Sequence, residues 1–84
     1  MKIKYRIEYI EWIDSFGCSS GWSEIKPIET VLICVSVGFV VSENDKTISL
    51  ANSVAYETED TKEQANGIMT IPRVSIISRK ELKQ

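Results

Sequence analysis

The sequence predicts an all-β protein: one small, strongly bent five-stranded barrel in a single domain of residues 1–84. Short runs of alternating apolar and polar residues recur along the chain, and turn residues separate them. One apolar run is too long to remain straight in a chain of this size. A chain of 84 residues buries only a small core, so assembly into a homo-oligomer would add useful burial.

The first strand is predicted from Ile3 onward, where odd positions are apolar and even positions are charged. At Ile10 and Trp12 the apolar residues move to even positions. Because a shift of one residue exchanges the two faces of a sheet, we expect a bulge or bend near Tyr9 and Ile10.

The second strand is predicted over residues 30–42. Its odd positions from Val31 to Val41 are all large and apolar, so we assign them to the core and the even positions to the opposite face. Twelve of these residues, from Val31 to Ser42, would span about 40 Å when extended, whereas a compact chain of this length has a radius of gyration of about 12 Å. The strand is therefore expected to curve, with Gly38 at the corner.

The remaining segments follow from turn residues and period-two patterns. Residues 43–46, Glu-Asn-Asp-Lys, predict a hairpin turn, and a third strand follows from Ile48 to Tyr56. Residues 57–66 carry four acids and no large apolar side chain, which predicts an acidic flexible loop. The last predicted segments are strands over residues 67–71 and 74–78 and a charged tail over residues 79–84.

Five short strands, the second strongly bent, are typical of small barrels of the Sm and Src-homology-3 type. An open oligonucleotide-binding barrel is the alternative. The sequence shows no internal repeat and no low-complexity segment.

Charge and hydropathy limit the partners and the compartment. A net charge of -2 argues against a protein that coats duplex DNA, since such binding depends on many basic side chains. No apolar run approaches the length of a membrane span, and no signal-peptide pattern precedes the first strand. We interpret Cys18 and Cys34 as reduced thiols, which predicts a cytoplasmic protein.

The residues available for chemistry favour binding over catalysis. The chain has no histidine, which removes the commonest general base and metal ligand. Two cysteines without Cys-x-x-Cys spacing do not predict a zinc site, and we expect no cofactor. An enzyme remains a third hypothesis only because carboxylates and Cys18 are present.

The candidate ligand site begins in the aromatic stretch of residues 12–22. Trp12 is interpreted mainly as a core ring and Asp14 as a turn residue, whereas Trp22 is the better candidate for stacking on a ligand. The corner of the second strand and one arginine of the following turn complete the predicted site. Its residues are Trp12, Asp14, Ser15, Phe16, Trp22, Ser36, Gly38 and Arg73.

Basic residues at both ends of the chain predict a second feature. The first and last strands of small barrels usually meet, which would bring Lys2, Lys4 and Arg6 near Arg79 and Lys80. We interpret this ridge first as a lysine-protected sheet edge. The alternative is an anion-binding surface to which Arg73 contributes its guanidinium.

Three fragments carry a resemblance. They are Trp12-x-Asp14-Ser15 followed by Gly21-Trp22, then residues 36–40, Ser-Val-Gly-Phe-Val, and then Ile71-Pro72 followed by Ile76. Together they resemble small phage and prophage proteins of about this size with a barrel-like β fold. The resemblance implies a phage accessory protein in the cytoplasm of the bacterial host, and it implies no catalytic residue.

Two functional hypotheses follow. The first is a non-enzymatic, oligomeric protein that binds and sequesters a nucleotide-derived immune signal of the host, since small phage proteins outside the virion often counter host defence. The second is an Sm-like RNA-binding or protein-interaction module without a small-molecule ligand.

Overall fold

The structure is a computed structural model that describes residues 3–14, 22, 31–56 and 63–84, and these residues are all-β. A single 3-10 turn, Arg73–Ser75, interrupts the described strands. The strands are β1 (Ile7–Asp14), β2 (Leu32–Glu43), β3 (Thr47–Ala51), β4 (Ser53–Tyr56), β5 (Glu63–Asn66), β6 (Met69–Pro72) and β7 (Ile76–Leu82). None of the described helical segments is long and apolar enough to cross a bilayer.

Five strands form one antiparallel sheet in the order β6-β3-β2-β1-β7, and β4 pairs with β5 in a separate two-stranded sheet. The first and last strands therefore lie side by side, as predicted, with Ile7 opposite Leu82. No pairing between β6 and β7 is observed among the described residues, so the predicted closed barrel is not seen. The all-β class is confirmed.

The ladder between β1 and β2 runs without interruption from Ile7 to Asp14. The predicted irregularity near Tyr9 and Ile10 lies instead between Glu11 and Trp12, in the ladder with β7. Even positions from Glu8 onward therefore face the core, and Glu8 itself is buried. The alternation of charge had placed Glu8 on the solvent side.

The predicted core face of β2 is wrong. Val35 and Val37 are 54% and 51% exposed, whereas Val40, on the face opposite the predicted core, is 6% exposed. Both faces of β2 carry enough apolar side chains to be buried. The side chains of the neighbouring strands therefore decide which face packs into the core. On the inner face the Trp12 side chain of β1 packs against the core and its indole N–H donates to the hydroxyl of Ser36, a small residue of β2.

The core consists of the buried side chains Ile10, Val40, Ile48, Leu50 and Ile71, with Trp12 and Ile76 packed against them. Gly38 lies next to this core because β3 approaches it closely. A Cβ on Gly38 would be 2.8 Å from the carbonyl oxygen of Ala51. The radius of gyration is 16.5 Å, larger than the value of about 12 Å from which a curved strand was predicted. The close approach of β3, and not the limited size of the chain, therefore explains why position 38 is a glycine.

The turn between β2 and β3 is the predicted one. The side-chain oxygen of Asn44 accepts hydrogen bonds from the backbone N–H groups of Lys46 at 2.8 Å and Thr47 at 2.9 Å. The N–H of Asn44 donates to the Thr47 carbonyl at 2.9 Å. This is the behaviour expected of asparagine in a tight turn.

Three other segments differ from prediction. The predicted third strand from Ile48 to Tyr56 is divided at Asn52 into β3 and β4, which belong to different sheets, because the Asn52 N–H bonds to the carbonyls of Asn66 and Gly67. Residues 63–66, assigned to the acidic loop, form β5 and pair with residues 53–56, while residues 57–62 lie outside the described residues. Residues 79–82, assigned to the tail, belong to β7. Residues 63–66 are polar because β5 is mostly solvent-exposed. Residues 79–82 are polar because β7 lies at the edge of its sheet, and polar edge strands are common.

Candidate functional site

A cleft of 490 Å³ opens where β2 and β3 separate, and we call it the fork cleft. It is lined by residues 35–37 of β2, by Leu50 and Asn52, and by residues 67–69. The ladder between β2 and β3 reaches only to the pair Phe39 and Ala51, so the two strands are no longer hydrogen-bonded beyond that point. The chain continues through Asn52 into β4, which leaves the five-stranded sheet.

The divergence at Asn52 is fixed by the opposite strand of the hairpin. The N–H of Asn52 donates to the carbonyls of Asn66 at 3.0 Å and Gly67 at 3.3 Å. Gly67 has a φ of 67°, and a Cβ there would be 2.4 Å from Nδ2, the side-chain amide nitrogen of Asn52. Only glycine combines that backbone angle with so close a neighbour. Asn52 and Gly67 together set the shape of the cleft.

A chain of hydrogen bonds connects the core to the cleft wall. The indole N–H of Trp12 donates to Ser36 Oγ at 3.0 Å, and that hydroxyl donates to the sulfur of Met69 at 3.7 Å. The indole is half-buried and packed on the core. Trp12 therefore holds the Ser36 hydroxyl in place, and Ser36 presents its oxygen to the cleft.

The structure brings some of the predicted site residues together. Ser36 lines the fork cleft and Trp12 bonds to it, whereas Gly38 is not part of the lining and lies beside Ala51 of β3. Asp14 is half-buried at the end of β1, opposite Leu32. Trp22 is fully exposed, which excludes a core role; stacking on a ligand stays a prediction. Ser15 and Phe16 lie outside the described residues.

Arg73 is not part of the fork cleft. Its guanidinium donates to the carbonyl of Asn44 at 2.8 Å and to the carboxylate of Glu43 at 3.2 Å. Its backbone N–H donates to the Lys46 carbonyl at 2.8 Å. The side chain predicted to bind an anion therefore fastens the 3-10 turn to the turn between β2 and β3.

The predicted basic ridge is instead a charge network with two carboxylates inside it. Arg79 donates two hydrogen bonds of 2.8 Å to Glu8, and Arg6 donates one of 2.6 Å to the same carboxylate. Arg6 also binds one carboxylate oxygen of Glu43. The guanidinium groups of Arg73 and Arg79 lie 3.2 Å and 3.4 Å from the other oxygen. Outside this network Lys4 pairs with Glu63. The two ends of the chain meet as predicted, and Lys4, Arg6 and Arg79 are each paired with a carboxylate, whereas Lys2 lies outside the described residues.

The network lowers the pKa of both carboxyls. The hydrogen bonds from Arg79, with a smaller contribution from Arg6, hold the Glu8 pKa below its ordinary value although burial opposes the shift. Arg6 is the main cause of the lowered Glu43 pKa. With a side chain only 5% exposed, Glu8 depends on these partners, since an unpaired buried charge is costly.

Sequence reasoning missed Asn52 and Met69 in the cleft and Glu8 and Glu43 in the network. One signal for Asn52 was available, because it occupies an inward position in the alternation from Ile48 to Tyr56 where an apolar residue is expected. Comparisons of the chain with protein-family models, curated protein sequences and solved structures found no match.

Proposed function

We propose that this protein is a non-enzymatic binding protein that sequesters a small nucleotide-like ligand in the fork cleft. The observation that carries the proposal is the cleft itself, whose 490 Å³ falls within the range of roughly 300–1,000 Å³ found for small-molecule sites. Its lining combines the apolar side chains of Val35, Val37 and Met69 with the polar groups of Ser36 and Asn52, which can orient a ligand.

The lining matches the chemistry of a nucleobase. Val37 and Met69 offer an apolar wall, and a thioether sulfur packs favourably against an aromatic ring. The carboxamide of Asn52 carries a donor and an acceptor, the pair that binds the edge of adenine. Ser36 adds a hydroxyl that Trp12 holds in place.

The orientation of the ligand follows from charge. The described lining of the fork cleft contains no charged side chain. The base would therefore occupy the cleft, and the phosphates would face its open side. The resemblance to small phage proteins supplies the setting, which is capture of a nucleotide-derived immune signal in the cytoplasm of the bacterial host.

We also propose that the fold is a small barrel of the Sm or Src-homology-3 type. Two features support it: β1 pairs with β7, and a 3-10 turn connects β6 to β7, the strands at the two ends of the sheet order. An experimental structure with β6 and β7 on opposite, separated edges of a flat sheet would contradict this assignment.

Calorimetric titration tests the ligand proposal, with adenosine 5′-monophosphate and cyclic di-adenosine monophosphate as probes. We expect at least one probe to bind, and we expect Ser36→Ala to weaken it by roughly 3- to 10-fold, as for a lost hydrogen bond of about 1 kcal/mol. Trp22→Ala should cost about 1–3 kcal/mol of binding if its ring stacks on the base. The matched control is Lys46→Ala in the turn between β2 and β3, which should bind like the wild type. Absence of binding by both probes, or equal loss in Lys46→Ala, would overturn the proposal.

A second candidate function, a protein-interaction module, is favoured by a different observation. The first half of β2 exposes apolar side chains along a strand edge that no described strand covers.

A further inference from the structure

The Ser36 hydroxyl is held between two partners, and the chemistry of each partner fixes the direction of its hydrogen bond. Trp12 pairs with Cys34 across the ladder between β1 and β2, and Ser36 lies two residues further along β2 on the same face. An aromatic side chain reaches such a diagonal position. The indole nitrogen of Trp12, 3.0 Å from Ser36 Oγ, can only donate, so the hydroxyl oxygen accepts this bond.

The proton of the same hydroxyl is directed at a weak acceptor in the fork cleft. Met69 Sδ lies 3.7 Å from Ser36 Oγ, and a thioether sulfur accepts hydrogen bonds weakly and never donates them. Met69 lines the cleft and is 43% exposed, so a ligand can reach this contact. A ring nitrogen or carbonyl oxygen of a ligand is a stronger acceptor than the sulfur and can therefore take over the proton.

Polar side chains are few in this cleft. Apart from the weak sulfur of Met69, Ser36 and Asn52 are the two hydrogen-bonding side chains of the described lining. A hydroxyl that is free to rotate serves a ligand equally as donor or as acceptor. Because the Trp12 N–H occupies its oxygen and its proton is directed at the cleft, Ser36 instead favours a ligand that brings an acceptor.

We propose that Ser36 selects ligands as a hydrogen-bond donor and that Trp12 is the positioning residue that gives the hydroxyl this polarity. The inference rests on the proposed function, in which an adenine base occupies the fork cleft. An asparagine carboxamide binds adenine through N6 and N7. With Asn52 in that role, the ring acceptors left for Ser36 are N1 and N3, and Ser36 donates to one of them.

Calorimetric titration of the full chain with 1-deaza and 3-deaza analogues tests the donation. The parent probe is adenosine 5′-monophosphate, or cyclic di-adenosine monophosphate where that nucleotide binds more tightly. Each analogue replaces one ring nitrogen by C–H and so removes one acceptor at nearly constant shape. We expect one analogue to bind the wild type roughly 3- to 10-fold more weakly than its parent, as for one lost hydrogen bond. In Ser36→Ala that analogue and its parent should bind equally.

The matched control is Ser42→Ala, at an exposed serine of the same strand outside the cleft lining, and it should keep the wild-type ratio of the two dissociation constants. Equal binding of the parent and both analogues by the wild type, or an unchanged ratio in Ser36→Ala, overturns the inference, while binding of the parent leaves the proposed function intact. Failure of both parent nucleotides to bind overturns the proposed function and this inference together.

Trp12→Phe tests the positioning role. Phenylalanine keeps an aromatic ring against the core and removes the N–H, so the Ser36 hydroxyl becomes free to rotate. The ratio of the two dissociation constants should then fall toward 1. A structural defect would weaken the parent and the analogue by the same factor, and a ratio that stays at the wild-type value contradicts the role given to Trp12. Partial unfolding of the variant does not change this ratio, because both ligands are measured on one preparation.

Discussion

The two halves of β2 lie in different environments although their amino-acid patterns are alike. Residues 39–43 pair with β3, and Val40 is buried in the core. Among the described strands only β1 pairs with residues 32–37, and their largest side chains are exposed. The comparison shows that an apolar strand is buried where sheet neighbours and opposing side chains surround it. Apolar character by itself does not decide burial.

The largest expected effect comes from placing a carboxylate in each half. Val40→Asp should abolish folding, because an unpaired buried charge costs several kcal/mol. Val35→Asp should lower the free energy of unfolding by about 1 kcal/mol or less, as for an exposed strand position. Urea denaturation at low protein concentration, where association contributes least, measures both. An equal loss of unfolding free energy in Val40→Asp and Val35→Asp would show that the two halves of β2 do not differ in burial.

An intermediate effect is expected from Glu8→Gln, since the charge network lies beside the buried half of β2. The Val40 N–H donates to the Arg6 carbonyl at 2.9 Å, and Arg6 binds Glu8. Removing the charge of the buried Glu8 from its partly exposed arginine partners should cost about 1.5–3 kcal/mol at neutral pH, as for hydrogen bonds to a charged group. Asp45→Asn, in the exposed turn, is the control and should cost little.

The pH dependence of unfolding separates the loss of the charge pairing from a packing defect. The folded-state pKa of Glu8 lies below its unfolded value, so its contribution is complete above about pH 4.5 and is lost as pH falls through the lower folded value. Wild-type stability should therefore decline in acid, and Glu8→Gln should decline less steeply. Parallel curves for the two proteins would mean that Glu8 contributes by packing alone.

The smallest effect concerns Gly38, at the boundary between the two halves. Gly38→Ala should lower the free energy of unfolding by about 1–3 kcal/mol, because the added Cβ meets the Ala51 carbonyl and overpacking carries a cost of that size. Thermal melts measure the loss. Ser42→Ala, an exposed position later on the same strand, is the control. A stabilised Gly38→Ala would mean that β3 can withdraw from β2 without penalty.

Several features of the fold were predictable because they depend on neighbouring residues. Asn44 forms the predicted turn through bonds to residues two and three positions later. Of the candidate site, Ser36 was identified as part of the predicted corner. Asn52 and Met69 were not, because the fork cleft is formed by segments that meet only after β4 has left the main sheet.

The sequence by itself determined the all-β class, the turn at Asn44 and the adjacency of the first and last strands, since local periodicity, turn chemistry and chain topology specify them. Only the tertiary structure decided which face of β2 is buried. That choice depends on Trp12 from one neighbouring strand and Ala51 from the other. The burial of Glu8 was decided in the same way, because a carboxylate becomes acceptable in the interior only when a distant residue, here Arg79, pairs with it.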